Sequence, residues 1–239
     1  MGKAKDRINL ICLHAQALQN SGRLRSTIYC IKKYIYILNQ DHTVLIRFPL
    51  IGYKESPFRT PISFIASDYD SSNFDIVDGR VVFIQTKGPY VREKSCKTTQ
   101  FTPKQIRDLF KKYHPLRKQG TMLTLGKGLI GQLDESLSHI EFSGKDGTLI
   151  IKQRNIYSGS IIKVHLQEEE GFSRTKKVPD FKPIGIRTND LFALFVWSPR
   201  LRFRFGLENV LWFENDNDKV PFTGVISHCL YDELSGDEK

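Results

Sequence analysis

The sequence predicts an α+β protein of two β-rich domains, each built from repeated helix-plus-strands units with the helices on one face of the sheets. Three observations predict it. Short segments alternate apolar and polar residues with period 2, as in "RLRFRF" at 200–205, where Leu201, Phe203 and Phe205 fall on one face and Arg200, Arg202 and Arg204 on the other. Helical periodicity is confined to short stretches between such segments. The order strand, helix, three strands also occurs twice in the second half, with a worn copy in the first, and repetition of a supersecondary unit constrains a whole fold. With 239 residues, 40% of them hydrophobic, the chain can fill one large core or two of about 110–120 residues.

The elements follow in chain order. "DRINLICLHAQALQNSGR" carries Ile8, Leu10, Ile11, Ala15 and Leu18 at helical spacing and stops at Asn20, Ser21 and Gly22. Three β-like runs, "STIYCI", "YIYILNQ" and "TVLIRFPL", are separated by "KK" and the turn-forming "NQDH" and predict a meander. "PISFIAS" at 61–67 predicts a fourth strand, the polar "DYDSSNF" a connection, and "GRVVFIQTKG" and "PYVREKS" two more strands, with Asp78 and Gly79 marking a tight turn. "TPKQIRDLFKKYHPLRK" opens with Thr102 as N-cap, Pro103 at the first helical position and Gln105 at the capping-box position. Ile106, Leu109, Phe110 and Tyr113 fall on one side of that helix and Lys104, Arg107, Lys111 and Lys112 on the other, until His114 and Pro115 stop it.

The second half then reads as strand "TMLTLG", helix "KGLIGQLDESLS" with Leu129, Ile130, Leu133 and Leu137 inward, and hairpin "HIEFSGKDGTLIIKQRN" turning at Lys145, Asp146 and Gly147. Strands "SIIKVHLQ" and "IGIRT" follow, the acidic-then-basic "EEEGFSRTKK" between them being a loop. Helix "NDLFALFVW" is predicted to be capped by Asn189 and halted at Ser198 and Pro199. "RLRFRF", "NVLWFEND" and "FTGVISHCLYD" close the sheet before a frayed tail. The predicted domains are 1–98 and 121–239, joined by a basic helical connector at 99–120.

From about Thr121 to Tyr231 the order of "KGLIGQLDESLS", "HIEFSGKDGTLIIKQ", "NDLFALFVW" and three closing strands resembles the phage-type DNA sliding clamps, in the family that includes proliferating cell nuclear antigen. The resemblance implies a clamp fold in which helices line a central channel and strands form the outer wall. It implies a phage-encoded, non-enzymatic processivity factor in the host cytoplasm, a homotrimer of two-domain subunits that encircles duplex DNA and tethers the replicative polymerase with help from a clamp loader. No catalytic residue, cofactor or metal belongs to such a protein.

The charge fits a polyanionic partner: 36 Lys and Arg against 26 Asp and Glu leave +10. The candidate DNA contacts are Lys3, Lys5 and Arg7 on the first helix, Lys104, Arg107, Lys111 and Lys112 on the connector helix, Lys127, and Arg200 beside a helix end. A basic helix face is also an ordinary solvated surface, and so is an arginine row on a strand; Arg202 and Arg204 are expected to face solvent away from DNA. "KGLIGQLDESLS" pairs Lys127 with Asp134 and Glu135, and "NDLFALFVW" has no basic residue, so the second half departs from a cationic channel lining. By the resemblance, the strand with Tyr90, Val91, Arg92 and Glu93 pairs with Ile161, Ile162, Lys163 and Val164 of the next subunit, Glu93 meeting Lys163.

Two alternatives stand beside the ring. One is a monomeric factor with clamp-like halves that grips DNA by one basic face, which molar mass in solution separates from a trimer. The other is a metal-dependent nuclease: Asp75 or Asp78 followed by a strand ending in Gln85 and Lys87 has the residue types for holding a divalent ion and aiding an attacking water, although Asp78-Gly79 also reads as a hairpin turn. No other constellation competes, since the six His are scattered, His139 and His165 fit as strand residues with local partners, and phosphate-loop and nucleophile-elbow motifs are missing. Cys12, Cys30, Cys96 and Cys229 form no CxxC pair and are expected as reduced thiols. No apolar run reaches the roughly 18 residues of a membrane span, the N-terminus turns polar too early for a signal peptide, and "MGKAKD" lacks the Ser or Thr of a myristoylation site.

Overall fold

A computed structural model describes residues 7, 8, 10, 11, 26–31, 33–39, 43–50, 58–61, 71–77, 80–87, 89–97, 103–154, 161–166, 178, 180–207, 209–215 and 221–227. They fall in two compact units, Met1–Lys112 with Val220–Phe222, and Tyr113–Lys219 with Thr223–Lys239.

In the first unit, Arg7, Ile8, Leu10 and Ile11 are helical; Ile8 and Ile11 are fully buried, whereas Leu10 is 42% exposed. Strands β1 (Ser26–Ile31), β2 (Tyr34–Asn39) and β3 (Val44–Pro49) form the expected antiparallel meander. Asn39 closes the β2–β3 turn: its Oδ1 accepts the Val44 N–H at 2.9 Å and its Nδ2 donates to Thr43 Oγ1 at 2.7 Å. A buried turn-forming amide thus satisfies backbone that no strand partner reaches.

β4 (Phe58–Pro61) pairs with the other side of β1, giving the order β4-β1-β2-β3. It lies earlier than the strand expected at 61–67. Pro61, opposite Thr27, is its last described residue; residues 62–67 lie outside the described ones. The remaining strands, β5 (Ser71–Val77), β6 (Arg80–Lys87) and β7 (Tyr90–Lys97), form a separate antiparallel sheet. Part of the stretch read as a polar connection is therefore strand. The second half of β5, Phe74-Asp75-Ile76, alternates as a strand should, and pairing with β6 carries Ser71 to Asn73 into the ladder despite their low intrinsic preference. Val77 opposite Arg80 leaves the Asp78-Gly79 dipeptide between the two strands; the dipeptide itself is outside the described residues.

Helix α1 (Pro103–Tyr113) runs as expected and passes into a 3-10 turn at His114–Lys118. Its expected cap Thr102 lies outside the described residues. In the second unit come β8 (Thr121–Gly126), α2 (Lys127–Ile130), β9 (His139–Lys145), β10 (Thr148–Arg154) and β11 (Ile161–Leu166). β12 (Phe181–Arg187), α3 (Thr188–Trp197), β13 (Arg200–Phe205), β14 (Val210–Glu214) and β15 (Thr223–Ser227) follow. Strand, helix, three strands does occur twice, and the two copies exchange their leading strands. β8 pairs with β13 to give β8-β13-β14-β15, and β12 pairs with β9 to give β12-β9-β10-β11. The β9–β10 hairpin turns on Asp146 (φ 53°) and Gly147 (φ 80°), two left-handed residues in the pattern a right-twisted hairpin favours. Aromatic rings fill the core of this unit: Phe142 of β9 meets Phe205 of β13 at 5.5 Å, Phe195 of α3 stacks on Phe203 at 6.2 Å, and Phe203 and Phe213 are neighbours within one sheet at 6.2 Å. Each such side chain contributes about 1.5–3 kcal/mol when fully buried.

Two helix expectations are corrected. The helix expected over 127–138 is a single turn, although Ile130, Leu133 and Leu137 are buried as predicted. Gln153 from β10 captures the backbone there, accepting the Asp134 N–H at 2.8 Å and donating to the Asp134 carbonyl at 2.9 Å, while Asp134 Oδ1 accepts the Ser136 N–H. These bonds offer the chain an alternative to continuing the helix, which Gly128 and Gly131 already disfavour. Helix α3 starts at Thr188, so Asn189 lies inside it rather than capping it, and no side chain caps the start. The Thr188 N–H is taken by the Ser138 carbonyl instead, at 3.0 Å. Ser198 and Pro199 end this helix as expected. Of its residues only Asn189 and Val196 are exposed.

Candidate nucleic-acid interface

Helix α1 is held to the first unit by two buried side chains, Ile106 at 3% and Phe110 at 2% exposure, while Arg107, Lys111 and Lys112 are exposed. Arg47 of β3 makes the seat. Its guanidinium lies 4.1 Å from the Phe110 ring centre and 4.7 Å from that of Tyr34, and the Tyr36 ring meets Phe110 edge-on at 5.9 Å. Tyr36 and Arg47 are cross-strand partners, so the helix covers the sheet face that carries both. Burial pushes the Tyr36 phenol above its ordinary pKa, and the Arg47 guanidinium beside it partly offsets that. On the helix itself, Asp108 lies 3.9 Å from Arg107 and 4.0 Å from Lys111, exposed pairs worth about 0–1 kcal/mol each.

The expected DNA set divides between places. Arg107, Lys111 and Lys112 share α1; Lys104 is on the same helix at its first turn. Lys127 and Arg200 come together in the second unit, since Arg200 is opposite Gly126 in the β8–β13 ladder and the Lys127 N–H donates to the Pro199 carbonyl at 2.8 Å. Both are exposed. Arg7 is half-buried, with Nε and Nη2 shielded from solvent. Lys3 and Lys5 lie outside the described residues.

The arginine row on β13 serves structure for two of its three members. Leu201, Phe203 and Phe205 are fully buried on one face, as alternation predicts. On the other, Arg202 Nη2 pairs with Glu214 Oε1 at 3.2 Å and Arg204 Nη1 donates to the Gln119 carbonyl at 3.4 Å. That face is also where His114 meets Trp212 edge-on at 6.0 Å, because Trp212 is the cross-strand partner of Arg204. α3 packs on the opposite face through Phe195 and Phe203, so the 3-10 turn and α3 lie on different sides of the β8-β13-β14-β15 sheet. The turn adds two exposed cations that sequence reasoning left out, Arg117 and Lys118; the basic run "LRK" was their signal.

The two strands named for subunit contact have one partner each among the described residues: β7 pairs with β6, and β11 with β10. For the nuclease alternative the register is unfavourable. Asp75 is opposite Val82, an odd number of positions from Gln85 and Lys87, so the ladder assigns Asp75 to the other sheet face. Among the described residues no group of three or more His, Cys, Asp or Glu is placed to hold a metal ion. Cys30 is buried and forms no disulfide, and no helix among the described residues is long and apolar enough to cross a membrane.

No protein-family profile and no curated protein matches the chain by sequence. Among solved structures it is similar to a chain of the PCNA2–PCNA3 complex from Sulfolobus tokodaii, with a TM-score of 0.56 and 11% identity over 91% of this chain and 96% of that one. At that identity the likeness is one of fold, and it extends over both units.

Proposed function

We propose that the chain is a subunit of a DNA sliding clamp, a non-enzymatic factor that closes into a homotrimer around duplex DNA and tethers a polymerase. The observation that carries this reading is the exchange of leading strands between two strand-helix-three-strand motifs, in a chain whose fold is that of a PCNA subunit along nearly its whole length. Ring closure would join β7 of one subunit to β11 of the next, through Tyr90 to Glu93 and Ile161 to Val164, each strand having one ladder partner among the described residues. DNA contact would fall to Lys3, Lys5, Arg7, Lys127 and Arg200, with Lys104, Arg107, Lys111 and Lys112 on α1 adding salt-dependent affinity. Light scattering at micromolar concentration tests it: three times the chain mass, together with retention on circular DNA and loss from linear DNA, is the expected result.

A second reading, a monomer that grips DNA by one basic face, is favoured by a particular observation. Helices α2 and α3 carry one exposed cation, Lys127, and the exposed Asp134 and Glu135 follow it. A single chain mass with equal affinity for linear and circular DNA would replace the ring by this form.

A further inference from the structure

Strand β12 slips by one residue against β9. Phe181 is opposite Gly144 and Ile184 opposite Phe142, so three steps along β12 match two along β9, and the extra residue is a bulge at Lys182-Pro183. The bulge and the β13–β14 turn, which holds Gly206 at φ 82° and Asn209 at φ 59°, line a cleft of about 420 Å³ within the second unit. Clefts of roughly 300–1,000 Å³ are of the size that takes a small ligand or one residue of a polymer.

The apolar lining is Ile184, which is buried, with the half-buried Phe181 and Leu207. Phe205 stacks on Phe181 at 5.2 Å with the ring planes 28° apart, which fixes a ring that is still partly open to the cleft. Gly206 leaves it so, since any side chain there would begin 4.0 Å from Phe181 Cβ. The polar lining is Asp180, Lys182 and Asn209, all exposed. Asp180 Oδ1 accepts the Asp146 N–H at 2.9 Å, and Lys182 makes no ion pair with a described residue.

A fixed aromatic ring, one cation, one acceptor and one amide that both donates and accepts are the groups that hold a nucleotide: the ring stacks the base and the cation takes its phosphate. Asp180 repels phosphate and accepts N–H, so the base edge belongs on its side and the phosphate on that of Lys182. A bare phosphate backbone finds one cation beside a carboxylate and gains little. A peptide adding itself as a strand meets a bulge and a proline without an N–H in place of a continuous edge. Bases within a duplex are stacked and paired and cannot enter. The formal charge of +10 favours a strand over a free mononucleotide, because each further phosphate adds attraction.

We infer that this cleft holds one unstacked nucleotide of a single strand, its base on Phe181 and its phosphate on Lys182. The inference rests on the reading of the chain as a DNA-binding factor and adds a single-strand contact to it. The cleft lies in one unit, so ring closure is not required.

The experiment follows the methyl NMR signals of Ile184 and Leu207 in the full chain as a deoxyadenylate hexamer is added. Saturable shifts at both methyls are expected. Phe181→Leu, which keeps an apolar side chain there, should weaken binding at least about five-fold through lost stacking. Lys182→Gln, at an exposed position that cannot unfold the chain, should weaken it up to about five-fold and leave binding of the uncharged deoxyadenosine unchanged. Absence of saturable shifts up to about 1 mM hexamer overturns the inference. Equal shifts from a blunt duplex of the same charge, or stronger ones from N-acetylphenylalanine amide, also overturn it, by assigning the cleft to a phosphate backbone or to a peptide. Shifts from deoxyadenosine monophosphate without any from the hexamer overturn the commitment to a strand. In each case molar mass in solution still decides the clamp reading separately.

Discussion

Replacing Phe110 by Ala should free α1 while leaving the sheet beneath it folded. An isolated helix of 11 residues is marginal in water, so α1 is held by what it buries. That is chiefly Ile106 and Phe110, at about 1.5–3 kcal/mol each, with a cation–π contribution of about 0.5–2 kcal/mol from Arg47. The substitution removes the Phe110 burial and the Arg47 contact together, about 3 kcal/mol in all. At 1.4 kcal/mol per factor of ten, amide exchange over 106–113 should quicken by roughly 100-fold or more, while β2 and β3, whose ladder does not depend on the ring, stay protected. The measurement is hydrogen–deuterium exchange resolved by peptide. Unchanged exchange in α1 would refute the view that this seat holds it; equal loss in β2 and β3 would show that Phe110 belongs to the core of the first unit rather than to a docked helix.

Two further outcomes concern the second unit. Gln153→Leu leaves the Asp134 N–H and carbonyl without their partner, and because Asp134 is exposed and water can replace part of the loss, the cost should be about 1–2 kcal/mol, read as a fall of several degrees in melting midpoint. No change would mean that burial of Leu133 and Leu137 alone holds that loop. His139 has its folded pKa below the ordinary 6.5, so the folded state binds fewer protons than the unfolded one there. Its contribution to stability is full above 6.5 and is lost as pH falls from 6.5 through the folded value. Denaturant midpoints measured across that window should drop in wild type and drop less in His139→Gln; identical profiles would remove His139 as the cause.

Most strands could be read from the chain because their signals are local. "KDG" between alternating runs gives the β9–β10 hairpin, and "RLRFRF" gives β13 with its buried face. The basic helix was legible too, since Pro103 and the spacing of Ile106 and Phe110 fix its start and its buried side. The failures arise where a partner distant in sequence decides. Ile130, Leu133 and Leu137 have helical spacing, yet irregular turns bury the same residues once Gln153 takes the Asp134 backbone. Ser71 to Asn73 become strand through β6. Arg154, His139 and Arg187 look like scattered charges in the sequence, and only the register of three strands puts them in one row. Arg202 and Arg204 could be placed on the polar face from alternation, but their partners Glu214 and Gln119 could not.

The exchange of leading strands also bears on how the second unit is made. β8 has its place beside β13, so Thr121 to Gly126 leave the ribosome well before Arg200 to Phe205 exist. At 5–20 residues per second the wait is about 4–15 s, long compared with the folding of a hairpin. Leu123 and Leu125, buried in the finished sheet, have no completed ladder to enter in that time, and a nascent chain truncated before residue 200 should bind hydrophobic-surface chaperones. Each motif needs the other's leading strand to complete its sheet, so long-range pairing of this kind is expected to complete the unit late.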